Sequence, residues 1–264
     1  TYTIPSISAL HGGTYDVVVS NVVGPLTSSA ALLSVNTPVS ITSQPAGLTV
    51  NPGSLSSFSV VAAGTPPFTY QWKRNGTVIA GATLDTYTID STQAVHAGSY
   101  TVVVTNVVGP LTSSAALLAV NTPVAITTHP LNRSLIPGGS SSLSVAATGT
   151  APLTYQWVKD GLDISGATNA SYPIASATAA DAGTYAVVVS NVVGSVTSNL
   201  ATVFVATPVS ITAQPEGAVL NPGAPVVFSV TATGTAPLTY QWRKNGVNLS
   251  GGTGSSYTIG AVSA

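Results

Sequence analysis

Catalysis in a chain without sulfur falls to histidine, carboxylate and hydroxyl groups. This sequence of 264 residues holds three His, seven Asp plus Glu, and no Cys or Met. Thiolate nucleophiles, sulfur-ligated metals and disulfides are therefore excluded. A histidine works as a base or ligand only where partners sit within hydrogen-bond reach. His11 and His96 hold equivalent places 85 residues apart, and Asp181 stands at the next interval. His129 stands where the flanking repeats carry Gln44 and Gln214. A reacting group would not drift to Gln between near-identical segments, so no catalytic residue is assigned and an enzyme is not expected.

The carboxylates are too scattered for an acid/base pair or a calcium loop. Asp85 and Asp90 are the nearest pair in an exposed loop, and their counterparts are Ala170 and Ala175. No metal or cofactor is expected in these repeats. Basic residues gather at Lys73 and Arg74, at Lys159, and at Arg243 and Lys244. The plain reading is a solvated hairpin end. The sharper one is a row of positive points for an anionic glycan or a neighbouring fibre. Four Asn-x-Ser/Thr sequons, at Asn75, Asn132, Asn169 and Asn248, are about as many as chance provides.

Net charge is −1 and only 5% of residues are charged, against about 25% in an average domain. Solvation falls instead to 36 Thr and 33 Ser. No basic patch suits nucleic acid, and no apolar run reaches the roughly 18 residues of a membrane helix. No signal peptide is seen, and the missing Met suggests a window on a longer chain. At 44% hydrophobic residues the chain is not expected to be disordered.

The elements that position these residues recur. Trp72, Trp157 and Trp242 are spaced by 85, as are Tyr2, Tyr87, Tyr172 and Tyr257. The run from Asn21 to Leu33 returns unchanged from Asn106 to Leu118. Within residues 122–206, SSLSVAAT alternates apolar and small polar residues, as a half-buried strand does. LTYQWVK then meets Asp160-Gly161, a two-residue hairpin signal. TYAVVVS and SVTSNLATVFVA form a last hairpin across Asn191–Gly194. About seven short strands per 85 residues predict an all-β sandwich.

With Tyr155-Gln156-Trp157, Asp181-Ala182-Gly183-Thr184-Tyr185 and Asn191-x-x-Gly194 in view, the repeats resemble immunoglobulin-like domains, specifically I-set-like repeats of bacterial surface proteins. The resemblance covers the whole chain. It implies two complete domains, 37–121 and 122–206, flanked by the last strands of one domain (1–36) and the first strands of another (207–264). It also implies that Trp72, Trp157, Trp242, Tyr100 and Tyr185 are core residues. The family's two cysteine positions read Val60 and Val102, then Val145 and Val187. A disulfide between positions 42 residues apart would contribute about 4 kcal/mol. Burial of each Val contributes about 1.5–3 kcal/mol, so valine packing can offset much of that loss. The substitution of His for Asp181 in two repeats suggests that this Asp makes no contact common to all.

The joints Asn36-Thr37-Pro38, Asn121-Thr122-Pro123 and Ala206-Thr207-Pro208 are short, and proline biases its predecessor towards extended backbone. A stiff rod of head-to-tail sandwiches is expected. Val22, Val23, Val107, Val192 and Val193 lie at a hairpin tip that usually carries polar residues, so they are candidates for inter-domain or fibre contact. The expected role is structural, as a repeat segment of an extracellular bacterial fibre or cell-surface stalk whose partners are copies of itself. The alternative is an adhesin, or an array of carbohydrate- or protein-binding modules, with a glycan or surface partner. Real chain ends would also allow 207–264 of one copy to complete 1–36 of another, although a longer chain explains the overlap more simply. Replacing Val107 and Val192 by Ser should broaden the inter-domain angles seen by small-angle scattering. An unchanged profile would remove the tips from any inter-domain seal.

Overall fold

The computed structural model describes residues 1–261. The last three residues of the expected fragment 207–264 lie outside this range. The chain divides into two compact units, Thr1–Thr122 and Pro123–Ala264, one residue beyond the boundary read from the repeat.

In the first unit, residues 37–121 form a complete two-layer sandwich. The larger sheet runs in the order Thr77–Val78, Thr69–Arg74, Gly98–Thr105, Ala116–Val120 and Leu48–Val50, with Pro110–Thr112 paired to the far half of Gly98–Thr105. The opposing layer pairs Ser56–Ser59 with Thr86–Ile89, and Ser40–Ser43 with Val61–Ala63. Residues 122–206, which begin with the last residue of the first unit and continue through the second, repeat this plan. There Thr154–Lys159 pairs with Gly183–Ser190, and Ser141–Ser144 with Ser171–Ile174.

Two segments expected as single strands are broken. SSLSVAAT divides into Ser141–Ser144 and Ala146–Thr148. The first half pairs with Ser171–Ile174 and the second with Ala125–Thr128, so the strand changes partner at Val145. At the break the Val145 N–H donates to Ala170 O at 3.0 Å. SVTSNLATVFVA likewise breaks around Ser198, which accepts from the Val187 N–H through Oγ at 3.1 Å while its own N–H donates to Val187 O. These breaks raise the count above the seven strands expected.

The core lies between the layers. Trp72, Val102, Trp157, Tyr185 and Val187 have no exposed surface, and Tyr100, Val60 and Val145 are buried with them. Each indole N–H is satisfied, from Trp72 to Leu84 O and from Trp157 to Asn169 O, both at 2.9 Å. Trp242 keeps the corresponding bond to Gly254 O but is only partly buried.

The flanking segments hold half of this plan each. Residues 1–36 form two paired stretches, Gly13–Tyr15 with Ala31–Leu33 and Val18–Ser20 with Pro25–Thr27. Residues 207–261 form Ser210–Ala213 with Thr231–Thr233, and Val226–Ser229 with Ser256–Ile259. Among the described residues Arg243–Lys244 pairs only with Val247–Asn248. Truncating Trp157 to Ala leaves a large cavity in the core between the two layers of its domain and should cost about 3–5 kcal/mol. Urea denaturation of parent and variant followed by far-ultraviolet circular dichroism would measure it.

Candidate functional site

The chemistry-bearing side chains are held by the backbone around the short 3-10 turns that precede the long strands. Ala179–Asp181 forms one such turn. The Asp181 carboxylate accepts from the Thr178 N–H and hydroxyl, each at 2.7 Å. Those bonds, the hydroxyl's foremost, hold its pKa below the ordinary carboxylate value. In the turn Ala94–His96, His96 Nδ1 accepts from the Gln93 N–H at 2.9 Å. His11 Nδ1 accepts from the Ser8 N–H at the same distance. The expectation that this Asp makes no common contact is therefore corrected. An unprotonated imidazole nitrogen replaces the carboxylate oxygen as acceptor, and the turn persists in all three repeats.

A tyrosine hydroxyl closes each turn. Tyr100 donates to His96 O, Tyr185 to Asp181 O and Tyr15 to His11 O, at 2.8, 2.9 and 2.8 Å. Burial pushes the Tyr185 phenol up to about 12, assisted by the negative charges of Asp181 and Asp160. Burial raises Tyr100 as well, opposed by the Arg74 guanidinium. Both hydroxyls stay protonated donors, as a corner requires.

The third histidine is also an acceptor. His129 Nδ1 takes the Asn199 N–H at 3.0 Å, and Gln44 Oε1 takes the Ser114 N–H at 2.9 Å in the sister repeat. His and Gln alternate here because either offers a lone pair at the right reach.

Three of the clustered basic residues, Arg74, Lys159 and Arg243, are tied locally. Arg74 donates to Val95 O, and Arg243 to Gly246 O. Lys159 pairs with the Asp160 carboxylate at 2.8 Å and lies 6.0 Å from the Tyr185 ring centre. Asp160 also accepts from the Thr184 N–H and hydroxyl, at 2.8 and 3.0 Å. Its carboxyl is held down to about 2, first by the Lys159 hydrogen bond. Asp160 and Gly161 both have positive φ, 51° and 83°, the backbone of a tight hairpin turn. The carboxylate lies over Gly183, where an added Cβ would meet Oδ2 at 2.6 Å. Among the described residues no cluster of three or more His and carboxylate groups comes together.

The valine tips are exposed. Val22 and Val23 are almost fully so, and Val107 and Val192 are 66% and 60% exposed. Val193 is intermediate. Beneath each tip an asparagine organises the turn. Asn106 Oδ1 accepts from Val108 and Gly109 N–H, and its Nδ2 donates to Thr37 O and Thr65 O at 2.9 and 3.0 Å. Asn191 Oδ1 accepts from Val193 and Gly194. Sequence reasoning did not assign these asparagines, although their recurrence every 85 residues was the available signal.

Two stretches, 38–106 and 123–191, match the immunoglobulin domain family model, and together they make up just over half of the chain. The chain belongs to the immunoglobulin domain family. It is 28% identical over 252 residues to human Hemicentin-1, covering 89% of this chain and 4% of that protein. It is 29% identical to mouse Roundabout homolog 1 over 69% of this chain and 12% of that protein. It is also 28% identical to the muscle M-line assembly protein unc-89 of Caenorhabditis elegans, over 94% of this chain and 3% of that protein. The chain thus spans only a small part of each of these relatives, all of them animal proteins. An I-band fragment of titin, I67–I69, shares the fold with a TM-score of 0.66 at 20% identity, covering 86% of this chain and 89% of that one. The chain is a tandem immunoglobulin-domain protein.

Asp160 supplies a pH test. Its depressed pKa means stability that is fully present above the unfolded value near 3.8 and is lost as pH falls through about 2. Asp160→Asn keeps the acceptor that Asn75 Oδ1 offers to Ser99 N–H in the sister domain. The variant should melt below the parent at neutral pH, for want of the Lys159 ion pair, and lose less stability between pH 4 and pH 2, so that the two converge at acid pH in thermal denaturation.

Proposed function

We propose that this chain is a structural segment of an extracellular array, a repeat portion of a cell-surface fibre or stalk without enzymatic activity. The supporting observation is that all three histidines and two of the carboxylates are spent on the fold. His11, His96, His129, Asp160 and Asp181 each accept a backbone N–H. What remains outside is a wall of Ser and Thr with exposed apolar tips, suited to spacing and contact. A relative, mouse DSCAML1, carries the name of a cell adhesion molecule, which favours display outside the cell. The bacterial source rests on the resemblance of the repeats alone, since the relatives named above are animal proteins.

A core closed by valine suits such an array. It offers no thiol or thioether to an external oxidant. Contact with other copies would cover the valine tips, in keeping with a mean hydropathy of +0.43. Gold-labelled antibody against residues 37–206, applied to intact source cells, should decorate the surface or its filaments. Label appearing only after permeabilisation would refute display outside the cell.

A further inference from the structure

The basic residues that follow each Trp strand sit in unlike surroundings. In domain 37–121 an open hollow of about 380 Å³ is lined by Arg74, Asn75, Thr77, Val78, Tyr87 and His96, with the Tyr100 ring behind them. A second hollow, of about 350 Å³, is lined by Thr83, Leu84, Thr86, Tyr87 and Thr88. Tyr87 borders both, so the hollows adjoin at that residue. Among the described residues no carboxylate lines either one.

The first hollow presents donors that the fold leaves over. Arg74 gives one N–H to Val95 O at 2.6 Å and has no carboxylate partner among the described residues, whose one ion pair is Lys159 with Asp160. His96 Nδ1 accepts the Gln93 N–H, which puts the proton of the neutral ring on Nε2. Asn75 Oδ1 accepts the Ser99 N–H at 2.9 Å. Asn75 Nδ2, His96 Nε2 and the hydroxyls of Thr77 and Tyr87 make no hydrogen bond among the described residues. The same places in the sister domain carry the opposite charge. Asn75, Val78 and His96 are replaced there by Asp160, Asp163 and Asp181. Asp160 holds Lys159 at 2.8 Å, and with its carboxyl at about 2 it is ionised at neutral pH. Three carboxylates around one ammonium turn an anion away, whereas an unpaired guanidinium draws one in.

We propose that this groove of domain 37–121 binds a uronate-containing glycan, with Arg74 taking the carboxylate of one sugar unit in the first hollow and the next unit lying in the second. The planar guanidinium fork matches a carboxylate. His96 Nε2–H, Asn75 Nδ2 and the Thr77 and Tyr87 hydroxyls suit the hydroxyls of the ring that carries it. Leu84, 70% exposed, offers apolar surface to the neighbouring unit, and Thr83, Thr86 and Thr88 offer it hydroxyls. Apolar surface with a few directed polar groups is the usual make-up of a ligand site. A simple anion would use the first hollow alone, so the second favours a chain of sugars. Domain 122–206 lacks the site because its own carboxylates occupy it. The inference goes beyond a spacing role and holds wherever the array is displayed, since the groove lies within one domain.

Isothermal titration calorimetry of the 264-residue chain with trigalacturonate and with trimannuronate tests this. At least one trimer should bind, and its uncharged methyl ester should bind about tenfold more weakly or worse. Asn75→Asp with His96→Asp gives domain 37–121 two carboxylates that its sister already folds with, and should remove one site per chain. The converse exchange, Lys159→Arg, Asp160→Asn, Asp163→Val and Asp181→His, should add one. Absence of binding by both trimers, equal affinity for acid and ester, or a site number unmoved by both exchanges would overturn the proposal. Displacement of the trimer by sodium acetate at equal carboxylate concentration would also overturn it, by reducing the groove to a contact for any small anion.

Discussion

A buried indole with a satisfied N–H is the constraint on which each domain depends. Trp72 lies wholly within the core formed by Val60, Val102, Phe58 and Tyr100, and its ring centre is 6.1 Å from that of Phe58. Burying so large an aromatic group supplies much of the apolar area between two thin sheets. The N–H must find an acceptor there or carry a desolvation cost, and Leu84 O provides it. The loop holding that carbonyl is thereby fastened to the centre of the fold. Gln71 does similar work beside it, donating to Ile79 O at 2.8 Å, as Gln156 does to Ile164 O.

Around that centre, the repeats preserve hydrogen-bond function more strictly than residue type. The 3-10 turn needs an acceptor at its third residue, and imidazole or carboxylate serves. The approach of residue 114 or 199 to the first strand needs an acceptor, and Gln44 or His129 serves. The hairpin after the Trp strand needs a short side chain that tolerates positive φ and accepts from the facing strand. Asn75 and Asp160 both qualify, at φ 50° and 51°. Charge is incidental to these roles, which explains how the domains fold with 5% charged residues.

The spacing of Trp and Tyr made the repeat, the all-β class and the core legible in the sequence, because burial of large aromatics imposes a strict period. The tight turn at Asp160-Gly161 was equally readable from its backbone demand. The breaks at Val145 and near Ser198 were not, since alternation of apolar and polar residues continues across a point where only the pairing partner changes. The shared role of His96 and Asp181 was hidden because their chemistry looks different by type and becomes alike only when both are seen facing an amide N–H. Asn106 was overlooked because an asparagine in a turn is locally sufficient to explain itself. Its second bond, to Thr37 and Thr65, joins residues 69 and 41 positions away.

Closing the core with Val60 and Val102 also frees the domain from its surroundings in one respect. A cystine in that place would make folding wait for an oxidant and would leave the product open to thiol–disulfide exchange. The valine pair has no such dependence. These sandwiches need no oxidant to reach their packed state, so the redox state of the surroundings does not set when they fold.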